Sequence, residues 1–191
     1  MGFDRIISIK KGEIIKKEGF SSLEIECQRL ELFRKNGIKV PKFYGFTGDN
    51  LEFGRFERIF GYHNIQENEE AHYSRGLIQG ILGGLGYWHP LFSISFDDTI
   101  LTYENEIYLI DTEKQRKIGN KNMSKDKNYI DFPYSGKEDF LVRVIPSMNH
   151  LEMNSRGLSG KVIQAHQEGY ETGLGENIEI DYRVKKWKKF S

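Results

Sequence analysis

The sequence predicts an α+β fold of two small lobes. Three observations predict it. Short strand-like runs and one amphipathic helix fill residues 1–60, mainly helical patterning follows in 61–191, and a run ending in glycine near residues 57–62 bridges the two. Each element follows from local signals. Residues 5–9 alternate weakly, Gly12 marks a turn, and EIIKK at 13–17 reads as a second strand ended by Gly19. Ser21 and Glu24 have the S-x-x-E spacing of a capping box and start a helix. Gly37 supplies a left-handed closing residue, and Pro41 forbids resumption. Leu23, Cys27, Leu30 and Phe33 form that helix's apolar stripe, and Glu26 lies on it. A carboxylate in that phase demands a cationic or hydrogen-bonding partner, because burying it alone costs several kcal/mol or more.

Extended segments at 40–46 and 51–59 flank a TGDN turn at 47–50, and Gly61 breaks the second of them. A second helix is expected over 71–88, with Leu77, Ile81, Leu82 and Leu85 inward. It carries Gly76, Gly80, Gly83, Gly84 and Gly86. Each glycine in a helix interior costs about 1 kcal/mol relative to alanine, a loss that close packing against another element can offset. A Ser-, Phe- and Asp-containing loop over 89–98 leads to a hairpin, 99–103 and 106–110, turning at Glu104-Asn105 and ending at Asp111. Residues 114–136 read as a long loop, 137–145 and 159–172 as helices, and 148–157 as a loop between them. The tail, 183–190, is basic and contains Trp187, a composition suited to touching phosphates or anionic lipid.

Composition excludes several classes. The chain has 191 residues, 38% of them apolar and 29% charged, so it can bury a substantial core and is not disordered in the main. Lys plus Arg number 28 and Asp plus Glu 28, which argues against a whole-surface nucleic-acid or membrane binder. One cysteine, Cys27, excludes an internal disulfide framework and a Cys-rich zinc site. Its position on an apolar stripe reads as core, not nucleophile. The five histidines show no paired metal spacing, and neither G-x-S-x-G nor G-x-x-x-x-G-K-[ST] occurs. No run approaches 18 uncharged apolar residues, and the start MGFDRIISIKKG lacks an apolar signal core. The expectation is a cytoplasmic protein with no transmembrane segment.

The stretch ECQRLELFRKNGIKVPKFYGF is similar to the E-x-x-x-L…G-h-x-V-P-x-h-x-G segment of small kinase-like phosphotransferases: aminoglycoside phosphotransferases, RIO-type kinases and lipopolysaccharide core sugar kinases. FERIFG resembles their hinge, ILTYENEIYLIDTE their metal-binding hairpin, and HQEGY a late F-x-x-x-Y helix. The resemblance spans roughly residues 13–172 and implies a two-lobed protein-kinase-like fold, with a small β-rich N-lobe over 1–60 and a mainly helical C-lobe over 61–191. It implies that Lys16 or Lys17 holds ATP phosphates and pairs with Glu26. EIIK reads like the V-A-I-K strand, which favours Lys16, and strand alternation lets only one of the two face a cleft. It implies further that Asp111 holds Mg²⁺ and that residues 57–60, Glu57 and Ile59 among them, present backbone to adenine.

The catalytic loop departs from the H-G-D-x-x-x-x-N pattern. Thr99 stands in the Asn slot, Ile94 in the Asp slot and Phe92 in the His slot. Asp97 and Asp98 lie nearby as substitute bases. No glycine-rich phosphate loop precedes the candidate lysine. Three readings follow: a phosphotransferase using ATP and Mg²⁺ on a small-molecule, sugar or protein acceptor; a pseudokinase serving as a binding or regulatory module; and an unrelated α+β interaction protein.

Overall fold

The structure is a computed structural model that describes residues 6–17, 22–49, 52–88, 98–112, 116–118, 129–130 and 136–175. Strands β1 (Ile6–Lys10) and β2 (Glu13–Lys17) form a hairpin through Gly12, whose φ of 82° suits a glycine. Helix α1 (Leu23–Lys35) follows, then β3 (Phe43–Thr47) and β4 (Phe53–Glu57). These strands make one antiparallel sheet in the order β1-β2-β4-β3. Ile14 lies opposite Phe56 and Lys16 opposite Gly54, so these four share one face of the sheet.

The cap of α1 is Ser22, one residue later than the capping-box spacing suggests: Ser22 Oγ accepts from the Ile25 N–H at 3.3 Å. Two adjacent serines offer equivalent caps, and burial of Leu23 in the first turn sets the phase. Leu23, Leu30 and Phe33 are buried as the stripe requires, and Gly37 closes the helix at φ 82°.

Beyond residue 60 the chain runs through β5 (Gly61–Tyr62), α2 (Glu69–Gly84), β6 (Tyr87–Trp88), β7 (Thr99–Thr102) and β8 (Ile107–Leu109). Gly61 does not end the sheet structure. It joins β5 to β7, approaching so closely that a Cβ there would collide with the Leu101 carbonyl. Helix α2 stops at Gly84, before residues 87–88, which turn into strand. Within the stretch expected to be a plain loop, β9 (Arg116–Ile118) pairs with β6 and β10 (Tyr129–Ile130) with β9. Such short strands leave no periodic signal for a sequence pattern to register.

The helical region holds α3 (Gly136–Asp139), a π-helical turn over Phe140–Val144, α4 (Ile145–Ser155) and α5 (Gly160–Leu174). The expected loop over 148–157 is thus mostly helix. Pro146 sits in the first turn of α4, where a missing N–H is harmless, and the widened π turn precedes it. Tyr170 donates its hydroxyl to the Leu141 carbonyl inside that turn, 2.8 Å away.

Helices α2 and α5 pack at backbone contact. A Cβ on Gly76 would strike the His166 carbonyl, one on Gly80 the Tyr170 carbonyl, and one on Gly169 the Tyr73 carbonyl. Close approach is therefore why α2 carries glycine at 76 and 80, whereas Gly84 faces open space. The architecture is α+β: a four-stranded antiparallel sheet with α1 comes first, and two short three-stranded sheets with the remaining helices follow. One buried cluster runs from α1 and β4 through α2 to β8, including Leu30, Phe33, Phe56, Leu82 and Leu109. Among the described residues no helix is long and apolar enough to cross a membrane. The basic tail lies outside the described residues.

Candidate functional site

Alternation along β2 separates the two candidate lysines. Lys16 shares the sheet face that carries Phe56, and its ammonium lies 5.2 Å from the Phe56 ring centroid. Lys17 is exposed on the opposite face. Across from Lys16, position 54 is a glycine, and the space that a Cβ would take there is filled by the Phe56 ring and Leu23. Lys16 Nζ reaches Glu26 Oε1 at 3.5 Å. Glu26 is 1% exposed on the inward face of α1, and the Lys16 side chain is 17% exposed. The cation demanded by Glu26's place on the stripe is therefore Lys16.

Arg29 follows Glu26 by three residues, so both project from one face of α1. Arg29 is 5% exposed, and its Nη1 donates to the Thr112 carbonyl at 3.4 Å. Thr112 is the residue after Asp111. On the other side of Asp111, the Leu109 N–H donates to the Lys39 carbonyl at 2.9 Å and the Ile110 N–H to the Asp98 carbonyl at 2.8 Å. Asp111 is half-buried at the end of this hairpin, which pairs Thr99 with Leu109 and turns at Asn105, φ 65°. The structure thus joins Lys16 directly to Glu26, and joins the same helix to the backbone beside Asp111.

Residues 57–60 leave β4 as an extended segment. The Glu57 N–H donates to the Lys42 carbonyl at 2.8 Å, and the Arg58 N–H to the Gly12 carbonyl at 3.0 Å. Glu57 Oε2 accepts from the Lys42 N–H at 3.1 Å. Two of the four amides are therefore used within the protein. Ile59 is half-buried, and Phe60 is exposed with the Arg58 guanidinium 4.5 Å from its ring centroid.

Asp97 lies outside the described residues. Asp98 is 1% exposed, and its carboxylate acts on the buried guanidinium of Arg75 on α2. Burial lowers the Arg75 pKa to about 10, while Glu152 and Asp98 oppose that fall, so Arg75 stays cationic at neutral pH. Beyond it, Gln79, Asn149 and His166 form a buried network. Asn149 Nδ2 donates to Gln79 Oε1 at 2.6 Å, and His166 Nε2 stands 3.2 Å from the same oxygen. Burial, with Arg75 nearby, lowers His166 to about 3 and His72 to about 4.

Sequence reasoning missed Arg29 and Arg75. Both left the same kind of signal as Glu26: a charge in phase with core residues, Arg29 beside Leu30 and Arg75 between Ala71 and Ile78. Among the described residues no three His, Cys, Asp or Glu side chains form a metal cluster. A nucleotide-borne magnesium ion does not require one, since it commonly takes one or two carboxylates with phosphates and waters.

No family model and no curated protein matches the chain. Among solved structures it is similar to one described as Legionella pneumophila Lpg2603 kinase bound to IP6, at 14% identity and a TM-score of 0.44. The match covers 86% of this chain and 53% of that one, so this chain spans about half its length.

Proposed function

We propose that the chain is a kinase-like phosphotransferase that binds ATP with Mg²⁺, with residues 1–60 as its N-lobe and 61–191 as its C-lobe. The observation that carries this reading is the Lys16–Glu26 pair, a part-buried lysine on a strand and a buried carboxylate on the following helix, at 3.5 Å. Lys16 is the phosphate-binding lysine, and Glu26 fixes its direction. Asp111 holds the metal with a single carboxylate, suiting a cation that keeps several waters. Bound magnesium supplies charge neutralisation across the nucleotide phosphates. Residues 57–60 border the adenine, with the backbone of Ile59 next in line after the engaged Glu57 and Arg58 amides. The acceptor is a small molecule, a sugar or a protein, and Asp97 or Asp98 takes its proton.

One observation favours a second reading, a pseudokinase that binds nucleotide as a regulatory module. Asp98 is 1% exposed, a poor setting for a base that must reach an acceptor hydroxyl.

Thermal unfolding with ATP and Mg²⁺ tests binding, because a ligand selective for the native state raises its stability by about 2.7 kcal/mol at a hundredfold excess over Kd. The expected result is a rise in Tm that Asp111→Ala reduces chiefly in its magnesium-dependent part. Radiolabelled γ-phosphate transfer then separates the readings. Turnover that Asp97→Ala or Asp98→Ala abolishes supports the enzyme, and binding without turnover supports the module. An unchanged Tm sinks both.

A further inference from the structure

Asp111 is bracketed by the segment that carries Glu26. Upstream, the Leu109 N–H bonds the Lys39 carbonyl at 2.9 Å; downstream, Arg29 Nη1 bonds the Thr112 carbonyl at 3.4 Å. Lys39 lies just beyond α1 and Arg29 lies within it, so one stretch of chain grips the backbone on both sides of the aspartate. The Lys39 bond joins main chain to main chain. The Arg29 bond depends on a side chain, and it is the one that reaches past Asp111.

Arg29 and Glu26 are three residues apart, about 4.5 Å along the helix axis. A helical turn is rigid, so any shift of Glu26 that follows Lys16 is passed to Arg29. A guanidinium keeps its charge under all ordinary conditions, and its planar fork loses little freedom on bonding a carbonyl. Arg29 is 5% exposed and Thr112 fully buried, so water competes weakly for this contact.

We propose that Arg29 is a positioning residue that couples the Lys16–Glu26 pair to the backbone of Asp111, so that the phosphate-binding and metal-binding groups move as one unit. This rests on the ATP and Mg²⁺ reading above. In this assignment Arg29 acts through the Thr112 backbone and not by contact with nucleotide or metal. Its contribution is to hold the Asp111 carboxylate in register with the lysine, and it therefore acts on the magnesium-dependent part of nucleotide binding more than on the rest.

Calorimetric titration of ATP into the full chain, with Mg²⁺ and with EDTA, tests this. For Arg29→Ala the expected result is at least about tenfold weaker binding with Mg²⁺ and less than about threefold change in EDTA. Arg29→Lys, which retains charge and a donor, is expected to recover part of the magnesium effect. Should the alanine variant fail to fold, Arg29→Gln decides on the same two titrations, since it lacks the charge and the fork. A general loss of packing weakens both titrations alike, and that outcome overturns the proposal. So does a variant that keeps the wild-type ratio between the two. If the wild-type chain binds ATP under neither condition, the nucleotide reading falls and the Arg29 assignment with it. Wild-type binding with an unaltered ratio in Arg29→Ala sinks the assignment alone.

Discussion

Lys16 and Lys17 are neighbours with the same charge, and the strand alone separates them. Lys16 crosses Phe56 toward Glu26, and Lys17 stands on the outer face. Lys16→Met is expected to remove most of the ATP-dependent rise in Tm, and Lys17→Met to leave it largely intact; the reverse order in paired melts excludes the assignment. Glu26→Gln removes one partner of a nearly buried ion pair. Its cost in stability is expected to be roughly 1–3 kcal/mol, below that of a fully buried pair because Lys16 keeps some contact with water. Urea titration measures it. Cys27 gives a third check at this scale. Burial, with Glu26, Glu31 and Glu24 around it, pushes the thiol up to about 12. At pH 8 the thiolate fraction is then on the order of 10⁻⁴. Labelling by a disulfide reagent is expected to be slow in the folded chain and fast in denaturant, and equal rates contradict the burial.

At the scale of elements, the seam between α2 and α5 decides the most. Gly80→Ala raises intrinsic helix propensity by about 1 kcal/mol, yet its methyl meets the Tyr170 carbonyl. Backbone cannot step aside as a side chain can, so the expected net effect is destabilisation by roughly 1–2 kcal/mol. Gly84→Ala is the control: a Cβ there meets nothing within 4 Å, and stability is expected to rise by up to about 1 kcal/mol. Opposite signs in chemical denaturation identify the close seam, and equal signs refute it. The glycines of α2 were visible in the sequence as an anomaly. Their partners on α5 were not, because Gly169 lies far along the chain and only packing brings it to Tyr73. Helix α4 was missed for a local reason. Pro146 reads as a breaker unless it falls in a first turn, and the π turn before it has no pattern in the sequence.

For the whole molecule, the buried histidines link folding to pH. His166 titrates near 3 and His72 near 4 in the folded chain, against about 6.5 when unfolded. The unfolded chain therefore takes up these protons first. The stabilisation is fully present above pH 6.5 and is lost as pH falls through 6.5 toward 3. The loss is expected to be on the order of a few kcal/mol. His166→Gln is expected to flatten part of that slope in melts between pH 7 and 4, even if it lowers stability at pH 7. A slope identical to wild type removes His166 from the account.

The class of the fold and its local elements were legible in the sequence: strand periodicity, a capped helix with its stripe, glycine-marked turns and a hairpin ended by Asp111. These depend on neighbours within a few residues, which the sequence displays directly. It also showed that Glu26 needs a partner, since a carboxylate in phase with core residues cannot stay alone. Only the tertiary structure decided which partner, because Lys16 and Lys17 differ by the sheet face they occupy and not by chemistry. It alone revealed Arg29 reaching Thr112 and the burial of Asp98, for both depend on segments far apart in the chain.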